Sequence, residues 1–142
     1  MTDDFWIWSN EQRIPSDAGA GRRVVHELLA QLQLQQWIEH DIFSIHLALE
    51  EALINAIKHG NGHDVSKQVQ VVCRIAPNRV RIEITDEGEG FCLEEVPDPT
   101  DNENLEVPSG RGLMLMRCFM SLVEFNDVGN CVVLEKLRAE ID

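Results

Sequence analysis

The sequence predicts an α+β fold, a two-layer sandwich in which helices cover one face of a mixed, mostly antiparallel sheet. Apolar residues recur at helical spacing between residues 16 and 60, and from residue 68 they alternate with polar residues as they do in strands. The elements follow the order β-α-α-β-β-loop-α-β-β, which is typical of this class. With 142 residues, the chain has room for one globular domain, residues 1–142, with its own core.

One strand and two helices are predicted before residue 61. The aromatic run FWIWS, residues 5–9, indicates the strand. A helix follows with Ser16 or Asp17 as its N-cap, and a second helix opens near Asp41 and stops at Gly60, which suits a left-handed C′ position. The apolar stripes are Val24, Val25, Leu28, Leu29 and Leu32 in the first helix and Ile42, Ile45, Leu49, Ala52, Leu53, Ala56 and Ile57 in the second.

The second half of the chain is read as strands and one short helix. KQVQVVCRIA and NRVRIEITD alternate apolar and polar residues and are joined by the turn APNR, which predicts a hairpin. Residues 92–109 hold prolines and acids with no period, so we expect an irregular loop that is either disordered or functional. GRGLMLMRCFM predicts a short helix, and SLVEFND and CVVLEKLR predict two final strands.

Composition narrows the function. The formal charge of −13, from 12 basic and 25 acidic residues, repels phosphate backbones and anionic lipid and argues against nucleic-acid and membrane-surface roles. The four cysteines are scattered without Cys-x-x-Cys spacing, so we expect small core residues and neither zinc sites nor disulfides. No signal peptide or spanning segment is apparent, and a cytoplasmic location is expected.

The second helix carries three polar residues at four-residue intervals, Glu51, Asn55 and His59. Each is turned by only about 40° from the previous one, so their side chains form a seam beside the apolar stripe. Asn is a weak helix former unless something holds its amide. The seam therefore fits either a binding site or an ordinary solvated helix face.

A second motif, Asp86-x-Gly88-x-Gly90, directly follows an alternating strand. The glycines allow the backbone to pass close to another group, although Asp and Gly are also common in simple turns. An EF-hand fits poorly because the later acidic ligands are not at the required spacing.

The third motif, Gly110-Arg111-Gly112, stands where a helix begins. Backbone N–H groups at a helix N-terminus bind anions, and a guanidinium adds a fixed positive charge. A plain glycine hinge at a loop-to-helix junction is the alternative for this motif taken alone.

Together, the three motifs resemble the N box and the two glycine boxes of the gyrase, heat-shock chaperone, histidine kinase and MutL ATPase superfamily. The match covers nearly the whole chain and implies the Bergerat, or histidine kinase-like, ATPase fold. Within the superfamily, EEALINAIKHGN and GRGL are most similar to the anti-sigma factor serine-protein kinases of the RsbW and SpoIIAB type.

The resemblance implies ATP and Mg²⁺ as cofactors and assigns roles to individual residues. Asn55 would coordinate Mg²⁺ through its amide oxygen, and Glu51 would be the catalytic base that takes a proton from a seryl hydroxyl or water. Asp86 would accept a hydrogen bond from the adenine amino group. Gly88 and Gly90 would allow close approach of the nucleotide.

The resemblance also implies a phosphate-binding region, with Gly110, Arg111, Gly112 and the adjoining Leu113 next to a lid at residues 92–109. Lys58 would reach a phosphate or remain a solvated lysine, and His59 with Gly60 would fix the helix terminus beside the nucleotide. His59 and His63 have metal-like spacing, but two histidines without a third ligand are usually just loop histidines.

Two features depart from the family pattern. Where the superfamily often has Gly-Thr at the start of the last strand, with Thr supporting the adenine-binding Asp, this chain has Asn130-Cys131. Asn130 is expected to supply a substitute polar group. The lid has six acids and no Lys or Arg, so Arg111 and Mg²⁺ must neutralise the negative charge of the phosphates.

The resemblance implies a serine kinase that phosphorylates a STAS-type anti-anti-sigma protein and sequesters a sigma factor, without direct contacts to nucleic acid or membrane. A possible homodimer is also expected, with the aromatic first strand as its interface. The alternatives are a catalytically inactive, ATP-gated protein-binding module and a structural domain with a decayed site.

Overall fold

In a computed structural model, residues 5–88 and 110–139 are described, and their elements follow the predicted order. None of the helices in these two stretches is long and apolar enough to span a membrane. The elements are β1 (Trp8–Pro15), α1 (Ala18–Leu34), α2 (Glu39–Ile54), a π-helical segment (Asn55–Gly60), β2 (Gln68–Ala76), β3 (Arg79–Thr85), α3 (Gly110–Phe119), β4 (Leu122–Phe125) and β5 (Cys131–Leu137).

The five strands form one sheet in the order β1-β2-β3-β5-β4, and all four pairings are antiparallel. The predicted α+β architecture is confirmed. Although β5 follows β4 along the chain, it lies between β3 and β4 and joins them. This insertion places the start of β5 directly beside the end of β3, where Thr85 pairs with Cys131.

The core lies between the helices and one face of the sheet. Val71 of β2, Ile84 of β3 and Val132 of β5 are register partners, and each is buried. Alternation along the strands places the partly exposed Arg81 and Glu135 on the opposite face, where they form a salt bridge of 2.6 Å. One layer of helices on one face is therefore enough to exclude water from the core.

The boundaries of β1 differ from the predicted strand at residues 5–9. The strand runs from Trp8, which pairs with Ile75, to Pro15, which pairs with Gln68. The aromatic run suggested a strand by composition, but pairing with β2 decides where a strand lies. Phe5 is 70% exposed, so the start of the aromatic run lies outside the core.

The helix starts show one correct and one wrong prediction. Asp17 is the N-cap of α1, and its carboxylate accepts a hydrogen bond of 3.1 Å from the Ala20 N–H. In contrast, α2 begins at Glu39, before Asp41. Asp41 is buried within the first turn because its carboxylate accepts a hydrogen bond of 2.8 Å from the Ala139 N–H.

The helical run ends at Gly60, as predicted. The prediction that Gly60 takes up a left-handed conformation is wrong. Positive φ angles occur instead at Gly62 and His63, at 61° and 58°. The helix widens into the π-helical segment and includes Gly60, so the chain reverses later than the pattern indicated.

At the end of the sheet opposite Asp86, the Arg138 side chain links two connections of the chain. Its guanidinium donates hydrogen bonds of 2.8 Å to the carbonyls of Gln35 and Gln36 and one of 3.2 Å to that of Pro77. It also lies over the ring of Trp37, 5.3 Å from the centroid. Arg138 thereby fastens the α1–α2 connection to the β2–β3 turn.

The cysteines only partly match the expectation of small core residues. Cys73 is buried, and burial raises the pKa of its thiol to about 12, so it behaves as a small apolar side chain. Cys118 is exposed and Cys131 is half-buried, and all three of these described cysteines are free thiols.

Candidate functional site

The polar seam of the second helix spans the junction between α2 and the π-helical segment. Glu51 lies in the last turns of α2, whereas Asn55, His59 and Gly60 belong to the π-helical segment. The Asn61 N–H donates to the Ala56 carbonyl at 2.9 Å, five residues back. Such wide turns are rare in helices and occur often at functional sites.

Asp86 lies at the end of β3 and opens a tight turn. Its carboxylate accepts a hydrogen bond of 2.8 Å from the Gly88 N–H, and its own N–H donates to the Asn130 carbonyl at 2.9 Å. The backbone of Asp86 is thus fixed to β5, and its side chain is fixed by the turn that follows.

This turn packs so closely on the helix end that two glycines are required. A Cβ atom added to Gly60 would overlap the Asp86 carboxylate, and one added to Gly88 would overlap the Gly60 carbonyl oxygen. The glycines at positions 60 and 88 therefore bring the π-helical segment and the turn into direct contact, with Asp86 between them.

A cavity of about 40 Å³ lies at this contact. It joins the polar side chains of Asn55, Asp86 and Asn130 to apolar walls. A flat, apolar ring with a polar edge matches such a lining, since the walls cover its faces and the polar groups fix its orientation. The other lining residues are Ala52, Ala56, His59, Gly60, Ile84, Met116, Phe125, Gly129, Cys131 and Val132.

The ionisation of Asp86 reflects this setting. Burial raises the pKa of its carboxyl group, and the Gly88 N–H and, more weakly, Lys67 oppose that rise. The carboxylate is therefore poorly solvated and would gain from a hydrogen-bond donor in the cavity.

A second cluster forms where α3 meets α2. A Cβ atom added to Gly112 would lie 2.8 Å from Oε2 of Glu51 and 4.0 Å from Nδ2 of Asn55. Gly112 therefore lets the first turn of α3 approach both side chains. Nδ2 of Asn55 is buried and has no hydrogen-bond partner among residues 5–88 and 110–139. A buried donor without a partner indicates that another group belongs at this position.

The pKa of Glu51 is raised, first by burial and then by repulsion from Glu50, whereas His59 lowers it. A carboxylate with a raised pKa is a stronger base than an ordinary one. Glu51 is thus suited to accept a proton from a hydroxyl group.

The structure thus brings together seven of the predicted site residues: Glu51, Asn55, His59, Gly60, Asp86, Gly88 and Gly112. Lys58 lies elsewhere, in an α1–α2 groove that also contains Arg22 and His63. Leu113 is buried in the core.

The remaining predicted residues are described only in part. Gly110 and Arg111 are described as backbone at the start of α3. Gly90 and the lid at residues 92–109 lie outside the described residues.

The β4–β5 loop contains a site residue that the sequence analysis missed. The Oδ1 atom of Asn126 accepts hydrogen bonds of 2.7, 3.0 and 3.2 Å from the N–H groups of Gly129, Asn130 and Cys131. The Asn130 amide donates to the Asp86 carbonyl at 3.4 Å, and the Thr85 hydroxyl donates to Cys131 Sγ at 3.2 Å. Asn126 precedes Gly129 in a turn-type sequence, which was the available signal.

These groups suit a nucleotide carrying a divalent cation. No set of three or more His, Cys, Asp or Glu side chains in the described stretches could hold a metal alone. Mg²⁺, however, commonly uses one or two protein ligands together with phosphate oxygens. A half-turn of the Asn55 amide exchanges its nitrogen and oxygen, so this side chain can supply such a ligand.

The model of one known protein family covers most of this chain. The model of the histidine kinase-like ATPase domain family matches residues 14–136. An anti-sigma F factor of Clostridium perfringens is 34% identical over 109 residues, which are 73% of this chain and 77% of that protein. The serine-protein kinase RsbW of Oceanobacillus iheyensis is 29% identical over 106 residues, covering 70% of this chain and 67% of that protein.

A solved structure shares the fold. The crystal structure of the RsbU and RsbW domains of a Mycobacterium tuberculosis protein superposes with a TM-score of 0.64 at 19% sequence identity. The superposition covers 94% of this chain but spans only 33% of that longer chain.

Proposed function

Because this chain belongs to the family of histidine kinase-like ATPase domains and is related to the anti-sigma F factors, we propose that it is an ATP-dependent serine-protein kinase. One observation carries the proposal. A poorly solvated carboxylate, Asp86, lies in a partly apolar cavity, and a basic carboxylate, Glu51, lies beside the start of α3. The first group suits a purine and the second suits proton transfer.

In this proposal, Asp86 selects adenine as the nucleotide base. Its carboxylate has only acceptor oxygens when ionised, so it pairs with the adenine amino group and opposes the carbonyl of guanine. The apolar walls of the cavity, including Ile84 and Val132, cover the ring faces. Asn130 holds the Asp86 backbone, whereas the place where the family often has Thr is taken by Cys131.

Glu51 is the catalytic base of the proposed reaction. It takes the proton of a seryl hydroxyl as that oxygen attacks the γ-phosphorus. The bond from the γ-phosphorus to the β–γ bridging oxygen breaks, and ADP leaves with that electron pair. The raised pKa of Glu51 strengthens it as a base for this step. Asn55, one helical turn later, would hold Mg²⁺, which neutralises charge on the phosphates. The glycine at position 112 leaves room for both groups.

The proposed partners are a STAS-type anti-anti-sigma protein as substrate and a sigma factor as the sequestered protein. The names of the relatives support this choice. The formal charge of −13 also fits, because phosphorylation adds about two negative charges and repels a partner from an acidic protein. A homodimer and a cytoplasmic location stay predictions.

A regulatory module that binds ATP without transferring phosphate is the second candidate. It is favoured by the acidic lid, in which residues 92–109 offer no Lys or Arg to the phosphates. Nucleotide binding would then control contact with a partner, and Glu51 would have no chemical role.

Two measurements separate these functions. The first is the affinity for ATP, ADP and GTP with and without Mg²⁺, measured by thermal shift and by calorimetry. Ligand at about 100 times Kd adds roughly 2.7 kcal/mol and raises Tm by several degrees. An ATP-selective shift supports the nucleotide site, and no shift with any nucleotide rejects both candidates.

The second measurement is transfer of ³²P from ATP to a purified STAS-type anti-anti-sigma protein. We expect Glu51→Gln to retain ATP binding and to lose transfer by 100-fold or more, on the order of a lost general base. The matched control is Glu39→Gln, an exposed carboxylate in the first turn of the same helix, which should transfer normally. Normal transfer by Glu51→Gln would reject its role, and binding without transfer in the wild type would favour the regulatory module.

A further inference from the structure

Asn61 is a buried polar residue that belongs to none of the predicted motifs. It directly follows the π-helical segment and is only 3% exposed. Burying an amide is unfavourable unless its donors and acceptor are all used. The contacts of Asn61 therefore indicate what this side chain does.

The Asn61 amide joins three separate parts of the chain. Its Oδ1 atom accepts a hydrogen bond of 2.8 Å from the Glu87 N–H. Its Nδ2 atom donates to the Gln68 carbonyl at 3.1 Å and to the Ser16 hydroxyl at 2.9 Å. A backbone N–H can only donate and a backbone carbonyl can only accept, so these two contacts fix which way the amide points.

The Glu87 N–H is the contact that matters for the site. It belongs to the peptide unit that links Glu87 to Asp86, and the Asp86 side chain is itself bonded to the next N–H, that of Gly88. Holding this peptide unit therefore fixes the backbone after Asp86, and with it the direction of the Asp86 side chain at the end of β3. The turn has one further anchor, because the Gln68 N–H donates to the Glu87 carboxylate.

The Ser16 side of the network does not reach the turn. Ser16 is 2% exposed, and its hydroxyl donates to the Lys67 carbonyl at 2.8 Å while it accepts from Asn61. It joins the start of α1 to the start of β2. The two halves of the network are therefore separable: Ser16 stabilises the fold, whereas the Asn61 oxygen acts on the Asp86 turn.

We propose that Asn61 is a positioning residue for nucleotide selection, which acts through the Glu87 N–H to aim Asp86 into the cavity. This inference rests on the proposed ATP site. It extends that site to a residue which touches no nucleotide and which couples the end of the π-helical segment to the turn of Asp86.

The first test needs no ligand. Amide hydrogen exchange by NMR in the nucleotide-free protein should show faster exchange at Glu87 and Gly88 in Asn61→Ala. Ser16→Ala, which is as deeply buried, should lower Tm without changing exchange at these two amides. Unchanged exchange at Glu87 in Asn61→Ala would overturn the inference, whatever nucleotide the protein binds.

The second test measures Kd for ATP and GTP by calorimetry at a temperature where all variants are folded. We expect Asn61→Ala to weaken ATP binding about fivefold, as for one lost hydrogen bond, and to narrow the ATP-to-GTP preference by a similar factor. Ser16→Ala should change both values by less than about twofold. A merely structural role would lower Tm in both variants and leave the preference intact, and that result would overturn the inference.

The tests distinguish a failure of the proposed ATP site from a failure of the role of Asn61. Wild-type protein that binds no ATP rejects the nucleotide site, and with it this role for Asn61. Wild-type protein that prefers ATP alongside an Asn61→Ala variant with the same preference rejects only the role of Asn61. If Asn61→Ala does not fold, Asn61→Ser takes its place, because its hydroxyl is polar but shorter than the amide that reaches Glu87.

Discussion

At the residue scale, the role proposed for Asp86 in adenine binding conflicts with the stability of the fold. Its carboxylate is placed among apolar groups, which raise its pKa, and it receives one hydrogen bond from the turn. An amide at this position would keep that bond without the buried charge. Selection of adenine would be lost, however, because an amide nitrogen donates hydrogen bonds and cannot accept one from the adenine amino group.

Asp86→Asn should therefore raise the Tm of the nucleotide-free protein at pH 7 while it weakens ATP binding by roughly 10- to 100-fold, as for a lost hydrogen bond to a charged group. Thermal denaturation with and without Mg²⁺-ATP measures both effects. The exposed carboxylate of Asp64 provides the control, since Asp64→Asn should leave ATP binding unchanged. A lower Tm in Asp86→Asn would show that the charge stabilises the fold.

The raised pKa values of Glu51 and Asp86 also predict a pH dependence. Burial is the main cause of both shifts, from ordinary values of 4.5 and 3.8. Both carboxyls therefore hold protons more tightly in the folded chain, so their contribution to stability is full below these values and is lost as pH rises through the folded pKa.

Relative to wild type, the double variant Glu51→Gln, Asp86→Asn should gain unfolding free energy steadily as pH rises from about 4 towards neutrality. Urea denaturation at a series of pH values measures this difference. A difference that stays constant over the whole pH range would contradict the raised pKa values.

Some site residues are visible in a sequence and others are not. Glu51 and Asn55 are predictable because their spacing on one helix shows that they share a face, and Asp86 because it follows an alternating strand. Asn61 was not predictable, because its contacts with Ser16, Gln68 and Glu87 form only in the folded chain. The turn-type sequence before Gly129 was a signal for Asn126, but such sequences are too common to single out a site residue. Lys58 is next to His59 of the seam along the chain, but its side chain lines the α1–α2 groove.

At the element scale, the π-helical segment is the feature that the sequence hid. The apolar positions Ala56 and Ile57 continue the stripe of α2 and remain buried, so the pattern gave no sign of a wider turn. The wider turn is favoured by contacts that form only in the folded chain, including the one between Gly60 and the Asp86 turn. Helix type here depends on tertiary packing.

Gly60→Ala tests this contact. The added methyl group would overlap the Asp86 carboxylate and force it to turn away, so we expect ATP binding to fall at least tenfold, like the loss of that hydrogen bond. Gly21→Ala is the control, because its Cβ would meet the Ile57 and Leu53 side chains at ordinary distances of 3.4 and 3.9 Å. An alanine in place of glycine in a helix gains about 0.5–1 kcal/mol. Calorimetry measures the ATP affinity of both variants, and thermal denaturation measures their stability. Normal ATP affinity in Gly60→Ala would show that Asp86 is not needed in its present position.

At the scale of the whole molecule, the two ends of the sheet have separate tasks. Asp86 and the cavity lie at one end of β3, and the Arg138 contacts lie at the other. The second end holds the fold together through hydrogen bonds to carbonyl groups of two connections. Stability and nucleotide binding should therefore respond to different substitutions.

Arg138→Ala should reduce the unfolding free energy by about 1.5–3 kcal/mol, since the guanidinium bonds to three carbonyls and stacks on Trp37. ATP affinity should stay within about twofold of wild type, because Gln35, Gln36, Trp37 and Pro77, which Arg138 contacts, do not line the cavity. Urea denaturation and calorimetry measure the two effects, with the exposed Arg23→Ala as control. A large loss of affinity would show that the ends are coupled.

The architecture was predictable to the level of fold class and element order. Periodicity distinguishes helices from strands, so α1, α3 and the β2–β3 hairpin lie close to their predicted positions. The limits of β1 were not predictable, because they depend on which residues face β2. The place of β5 inside the sheet also follows from pairing between distant segments, which local patterns do not encode.

The insertion of β5 between β3 and β4 has a consequence for synthesis. A growing chain that stops before residue 131 has β4 but lacks the strand through which β4 joins the sheet. On the ribosome, β3 then presents an unpaired edge, which is prone to pair with other chains. The residues from 130 to 132 that line the cavity also emerge late, so a nascent chain completes this cavity only after the start of β5 has been translated.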